Sequence, residues 1–161
     1  MKSLVSLISL FLLLNSSLAN ASWRKDMIDD GVAIAKDILQ QAEQNTDDAD
    51  WKRLFQKLYK RIATNGVSVI HHESPSEDFV GCTDNTIAFT QAGLHPRDIY
   101  ICQLAFDQGG ATAMAQTLIH EAAHLIGFSN ECQATKIERG AMLISDYGVQ
   151  YRNGYFTSCG F

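Results

Sequence analysis

The chain has 161 residues, 46% of them hydrophobic, and a formal charge of −5 from 13 basic and 18 acidic side chains. That length supports one domain with a proper core but not two, and the modest acidic balance leaves no basic face for nucleic acid or an anionic membrane and no acidic tail. No internal repeat or low-complexity linker divides it.

Lys2 is followed by the apolar run LVSLISLFLLL over residues 4–14, then a polar stretch and Ala19-Asn20-Ala21. Charged, apolar and small-residue regions in that order predict a secretory signal peptide over residues 1–21, cleaved after Ala21. The run is too short to span a bilayer comfortably, and nothing later is long enough to be a membrane helix. No cysteine lies near the cleavage point to carry a lipid anchor. The mature domain, residues 22–161, is expected to be soluble and monomeric, to sit outside the cell or in the periplasm, and to carry a charge of about −6 once Lys2 is gone.

Two helices come first. Asp26 to about Gln44 places Met27, Ile34, Ile38 and Ala42 on one side, and NTDDAD then supplies a turn and a cap. A second helix over Ala49 to Ala63 turns Trp51, Leu54, Phe55, Leu58, Tyr59 and Ile62 inward and ends at Asn65-Gly66. Short β-like runs follow at Val67 to His71, Asp78 to Cys82, Asn85 to Thr90 and Asp98 to Cys102, punctuated by Gly, Asn and Pro.

Residues 111–126 then read ATAMAQTLIHEAAHLI. Met114, Leu118, Ala122 and Leu125 form an apolar stripe, while Gln116, His120 and His124 share another face. Gly109 and Gly110 precede the run, and Gly127 ends it at a C′ position that needs positive φ. Side chains four apart on a helix stand one turn above each other, so both imidazoles can reach one tetrahedral Zn²⁺. Glu121 is close enough to take a proton from a zinc-bound water, whose pKa the metal lowers to about 7. Another helix is expected from about Glu131 to Ile144, and the Tyr- and Gly-rich tail after it is expected to be irregular.

Cys82, Cys102, Cys132 and Cys159 all lie in the mature part, and an even count in an exported chain argues for two disulfides. Three pairings are open. Cys82 with Cys102 is favoured because it would tie neighbouring strands, and Cys132 with Cys159 because it would pin the tail beside the metal helix. A cysteine-rich zinc site is disfavoured, since these wide spacings contain no CxxC pair.

Helices before and after a small sheet, with the histidine helix packed on it, predict an α+β domain. The order resembles the zincin metallopeptidases. The resemblance is tightest over residues 98–135, where Asp98-Ile99-Tyr100-Ile101-Cys102 precedes TLIHEAAHLIG much as a strand ending in Cys precedes the zinc helix in secreted deuterolysin-like and lysine-specific metalloendopeptidases. It implies a zincin-like single domain that binds Zn²⁺ through His120 and His124, with Glu121 as general base.

Catalytic zinc usually takes a third protein ligand. The metzincin pattern HExxHxxGxxH is met at Gly127, but Asn130 stands where its last His should be. The Gly-Thr-x-Asp motif of deuterolysin-like enzymes is absent. Asn130-Glu131-Cys132-Gln133-Ala134-Thr135 is similar to the gluzincin Asn-Glu-x-x-Ser-Asp segment, although only six residues separate His124 from Glu131. Glu131 is therefore the expected third ligand, in the first turn of a helix capped by Ser129. The bland alternative is a carboxylate that suits the helix dipole and faces solvent. Glu138 and Asp146 are the fallback ligands, and Asn130 is a candidate to hydrogen-bond a ligand histidine.

A hydrolase also needs a donor for the developing oxyanion. Tyr147, Tyr151 and Tyr155 are candidates, with Tyr151 and Tyr155 preferred because a Cys132–Cys159 bridge would draw the tail towards the site. His71, His72 and His95 lie outside the motif and are expected at the surface or at strand ends. The expected function is zinc-dependent hydrolysis of protein or peptide substrates, with cell-wall peptide amides as one alternative. A non-catalytic, zinc-stabilised binding protein on the same scaffold is the other.

Overall fold

A computed structural model of the chain describes residues 2–63, 68–72, 82, 85–107, 109–150 and 155–161, with side chains placed for all of these except 2–22, 70–72, 155 and 156. The protein is mixed α and β, mostly helical with one small sheet. Its elements run α1 (Lys2–Asn45), α2 (Ala49–Ala63), β1 (Ser68–His72), β2 (Ala88–Gln91), β3 (His95–Cys102), α3 (Gln103–Asp107), α4 (Ala111–Leu125), α5 (Glu131–Ile144) and α6 (Tyr155–Ser158).

α1 starts at Lys2 rather than Asp26. The apolar run is itself rich in good helix formers, and no Gly or Pro between Leu14 and Asp26 breaks the backbone. Its buried face is Ala35, Ile38, Leu39 and Ala42, with Met27 and Ile34 only partly covered. The expected stripe is thus rotated slightly, and Gly31 explains why. A Cβ on Gly31 would come within 2.5 Å of Met114 Cγ, so α1 and α4 approach closely at this point. Among the described residues, no helix is long and apolar enough to cross a membrane.

α2 matches its expected bounds. Asp48 Oδ1 accepts from the amides of Asp50 and Trp51 (2.8 and 3.1 Å), the capping expected of NTDDAD. Phe55, Leu58 and Ile62 are buried, with Trp51, Leu54 and Tyr59 packed at the core's margin.

The sheet has the order β1-β3-β2, with β1 parallel and β2 antiparallel to β3. β3 begins at His95, earlier than expected, because Gln91 at the end of β2 pairs with His95, whereas β1 pairs with β3 only from Asp98 on. β2 begins only at Ala88, and Phe89 stacks on its cross-strand partner Tyr100 with ring centroids 4.9 Å apart. Of the expected strand at Asp78 to Cys82, only Cys82 falls within the described residues, and it is not in a strand. α3 was not expected; it is a single turn and a half after β3, with Gln103 donating to Asp107 one turn on.

Both favoured disulfides form. Cys82–Cys102 ties the segment ahead of β2 to the end of β3, rather than joining two strands. Cys132–Cys159 fastens the tail to the first turn of α5, and the tail itself holds a short helix, α6, where irregular chain was expected.

Candidate metal centre

α4 and α5 build the site between them. α4 is buried from Ala113 to Ala123, so its polar face must be satisfied by protein groups rather than water. It ends in a Schellman turn: the amide of Gly127 donates to the His124 carbonyl (3.0 Å) and that of Phe128 to the Ala123 carbonyl (3.1 Å), with Gly127 at φ +110°. Asn130, not Ser129, caps α5, its Oδ1 accepting from the amides of Cys132 and Gln133 (2.9 and 3.2 Å). An asparagine engaged in this way does not serve a ligand histidine. The tight turn folds α5 back along α4 and sets Glu131, the first residue of α5, over the two imidazoles.

The three expected ligands converge. His120 Nε2 lies 3.2 Å from His124 Nε2 and 3.1 Å from Glu131 Oε2, and His124 Nε2 lies 3.4 Å from the same oxygen. With Zn–ligand bonds of about 2.0–2.1 Å, the edge of a tetrahedron is about 3.3 Å, so the triangle has the size of one tetrahedral face. Glu131 thus turns one oxygen to both rings while its side chain stays 42% exposed, which leaves the fourth direction open towards the cleft.

The far side of each ring decides which nitrogen carries the proton. His124 Nδ1 lies 2.7 Å from the Phe128 carbonyl, which can only accept, so Nδ1 is the protonated nitrogen and Nε2 keeps its lone pair. His120 Nδ1 lies 2.9 Å from Glu138 Oε2. Glu138 is fully buried, and Gln116 on α4 donates to its other oxygen. This fallback ligand therefore sits behind His120, where it orients the ring instead of competing for the metal position. In the neutral state, both Nε2 atoms and a carboxylate oxygen point lone pairs at one spot. That arrangement repels itself unless a cation sits there, either a metal ion or a proton.

The ionisation of the site follows the same logic. Burial alone would depress His120, but hydrogen bonds to Glu131 and Glu138 and the charges of Glu121 and Glu138 override it and raise its pKa to about 10. A hydrogen bond from His120 is the main cause that holds Glu131 below the usual carboxylate range, outweighing its own partial burial. Glu121, 6% exposed, is pushed up to about 7, chiefly by desolvation and further by Glu131 and Glu138, against the opposing charge of His120.

His120, Glu121, His124 and Glu131 line a cleft of about 450 Å³ whose opposite wall is the edge strand β2. Thr86, Thr90, Thr117 and Ser129 add hydroxyls to it. Sequence reasoning missed this wall and the support behind His120, since neither carries a local motif. Gln116 was placed on the histidine face, but its partner was not foreseen.

The remaining expectations divide. Asp146 is exposed, its amide donating to Gln41 Oε1, and it is not in the ligand cluster. Tyr147 donates to Asp37 Oδ2 (2.8 Å) on α1, so its hydroxyl is committed there. Tyr151 and the side chain of Tyr155 lie outside the described residues, as do the side chains of His71 and His72. His95 opens β3 at the surface, 3.6 Å from Asp98, in the strand-end role expected. No protein-family model matches the chain, and no curated protein or solved structure matches it.

Proposed function

We propose that the chain is an exported, zinc-dependent metalloendopeptidase with a small zincin-like domain. The observation that carries this reading is the convergence of His120, His124 and Glu131 at tetrahedral spacing beside the buried carboxyl group of Glu121. His120, His124 and Glu131 hold the zinc. Bound there, zinc supplies Lewis acidity, acidifying a water and polarising the scissile carbonyl.

Glu121 takes the proton of the attacking water and returns it to the leaving amine. Its burial favours the protonated form, which strengthens it as an acceptor of that proton. The edge strand β2 offers an extended peptide a main-chain partner along the cleft. Tyr151 or Tyr155 is the candidate hydroxyl donor for the oxyanion. The two disulfides suit the oxidising compartment to which the signal peptide over residues 1–21 would lead. A purely structural zinc site closes its fourth position with protein and needs no base, so the buried Glu121 and the open cleft favour catalysis over a zinc-stabilised binder.

The test is elemental analysis of the oxidised, mature protein together with hydrolysis of a mixed peptide library. One zinc per chain is expected in the wild type and in Glu121→Gln, with weakened binding in Glu131→Ala. Glu121→Gln should lose at least about 100-fold in rate. Full activity in Glu121→Gln would overturn the mechanism, and a wild type without zinc would overturn the metal reading.

A further inference from the structure

The hydrogen bonds behind His120 form a chain with a fixed direction. It begins at the main-chain amide of Gln150, which donates to Gln116 Oε1 (2.8 Å). A backbone N–H can only donate, so the Gln116 side chain must present its oxygen to the tail and its NH₂ to Glu138. That NH₂ also can only donate, so Glu138 Oε1 accepts, and Oε2 is left to receive the Nδ1–H of His120. The last link turns Nε2 of His120 towards His124 and Glu131. The links join end to end, and the first belongs to the segment that follows α5.

We propose that Gln116 is a positioning residue that transmits the docking of the tail at Gln150 to the metal site by setting the orientation of His120. The inference rests on the metal reading given above. Gln116 and Glu138 are both fully buried, so no water can stand in when the link between them is lost. The Gln150 side chain bonds the carbonyls of Tyr147 and Gly148 (3.0 and 3.2 Å), which holds the tail in the turn that aims its amide inward. The Tyr147 hydroxyl on Asp37 and the Cys132–Cys159 bridge anchor the same segment from either side. A tail that undocks would remove one of the bonds that hold the Gln116 side chain, and with it part of the support for the Glu138 carboxylate behind His120.

The experiment is zinc affinity by chelator competition on the full oxidised chain, with histidine ¹⁵N shifts recorded in the zinc-bound form. Gln116→Met keeps the length of the side chain and removes both polar groups. It should weaken zinc about tenfold, the lower end of the effect of losing an outer-shell partner, and should alter the ¹⁵N shifts of His120 while leaving those of His124 in place. If this variant does not fold, Gln150→Pro against Gln150→Ala decides, since only proline removes the N–H. The proline variant should bind zinc several-fold more weakly than the alanine variant. Zinc affinity in Gln116→Met within about twofold of the wild type, or equal affinity in the two Gln150 variants, would overturn the inference alone. A wild type that takes up no zinc would overturn the metal reading and this inference with it.

Discussion

His120 and His124 stand one turn apart on α4, and both turn Nε2 towards the same point, yet their supports are of different kinds. Behind His124 is a main-chain carbonyl, Phe128, placed by the Schellman turn four residues on. Behind His120 is a side chain, Glu138, eighteen residues away on another helix and steadied in turn by Gln116. A carbonyl in a tight turn survives almost any substitution of its own residue, because the backbone supplies it. A buried carboxylate is removed by a single mutation and leaves an imidazole N–H without an acceptor. The local support is robust to mutation, whereas the distant one can respond to the rest of the fold.

The strongest way to break this contrast is to compare Glu138→Ala with Phe128→Ala. The first should weaken zinc by about 10–100-fold, while the second, which keeps the carbonyl, should change affinity by no more than about threefold. Equal losses by chelator competition would show that the two supports are not different in kind. Next in size is Gly127→Ala. No atom lies within 4 Å of the added Cβ, so the cost is purely conformational, roughly 1–3 kcal/mol for a side chain held at φ +110°. Urea unfolding should show that loss, and the displaced Phe128 carbonyl should weaken zinc through His124. Unchanged stability would mean that the turn relaxes at no cost.

The smallest effect is on the pH dependence of the metal-free protein. Glu121 is raised from 4.5 to about 7 and His120 from 6.5 to about 10, so each binds its proton more tightly folded than unfolded. Stability should therefore fall as pH rises, first through the Glu121 window and then through that of His120. Urea melts of chelator-treated protein at about pH 5, 7 and 9 should show the decline, and Glu138→Ala should shrink its upper part by removing one cause of the His120 shift. A rise in stability over that range would contradict the electrostatics of the site. Zinc uptake near neutrality should also release a proton from His120, measurable by calorimetry in buffers of different ionisation enthalpy.

Much of the site was legible in the sequence, because its signals are short-range. His120, Glu121 and His124 share a helix, and Gly127 marks its end through a backbone requirement that few other residues meet. Glu131 was within reach because the turn between α4 and α5 is too short to carry it far. The cap was misassigned by one residue, Asn130 for Ser129, since both types cap helices well and only the backbone angles separate them. Glu138 was read as a rival ligand because chemistry alone does not say whether a carboxylate meets an imidazole at Nε2 or at Nδ1. The rotated face of α1 was missed for a similar reason: a glycine contributes nothing to a hydrophobic stripe, yet at Gly31 Met114 of α4 packs against the α1 backbone.

Taken by itself, the sequence determined the helices α2, α4 and α5, the shared face of the two histidines, the turn at Gly127 and the number of disulfides. Each of these follows from periodicity, capping or parity read within the chain. Only the tertiary structure decided that β1 lies parallel to β3, that β2 forms the far wall of the cleft, and that Gln150, Gln116, Glu138 and His120 join in one directed chain. These depend on where helices and loops bring residues together across 18 to 34 positions, and on which of two polar atoms burial leaves facing which.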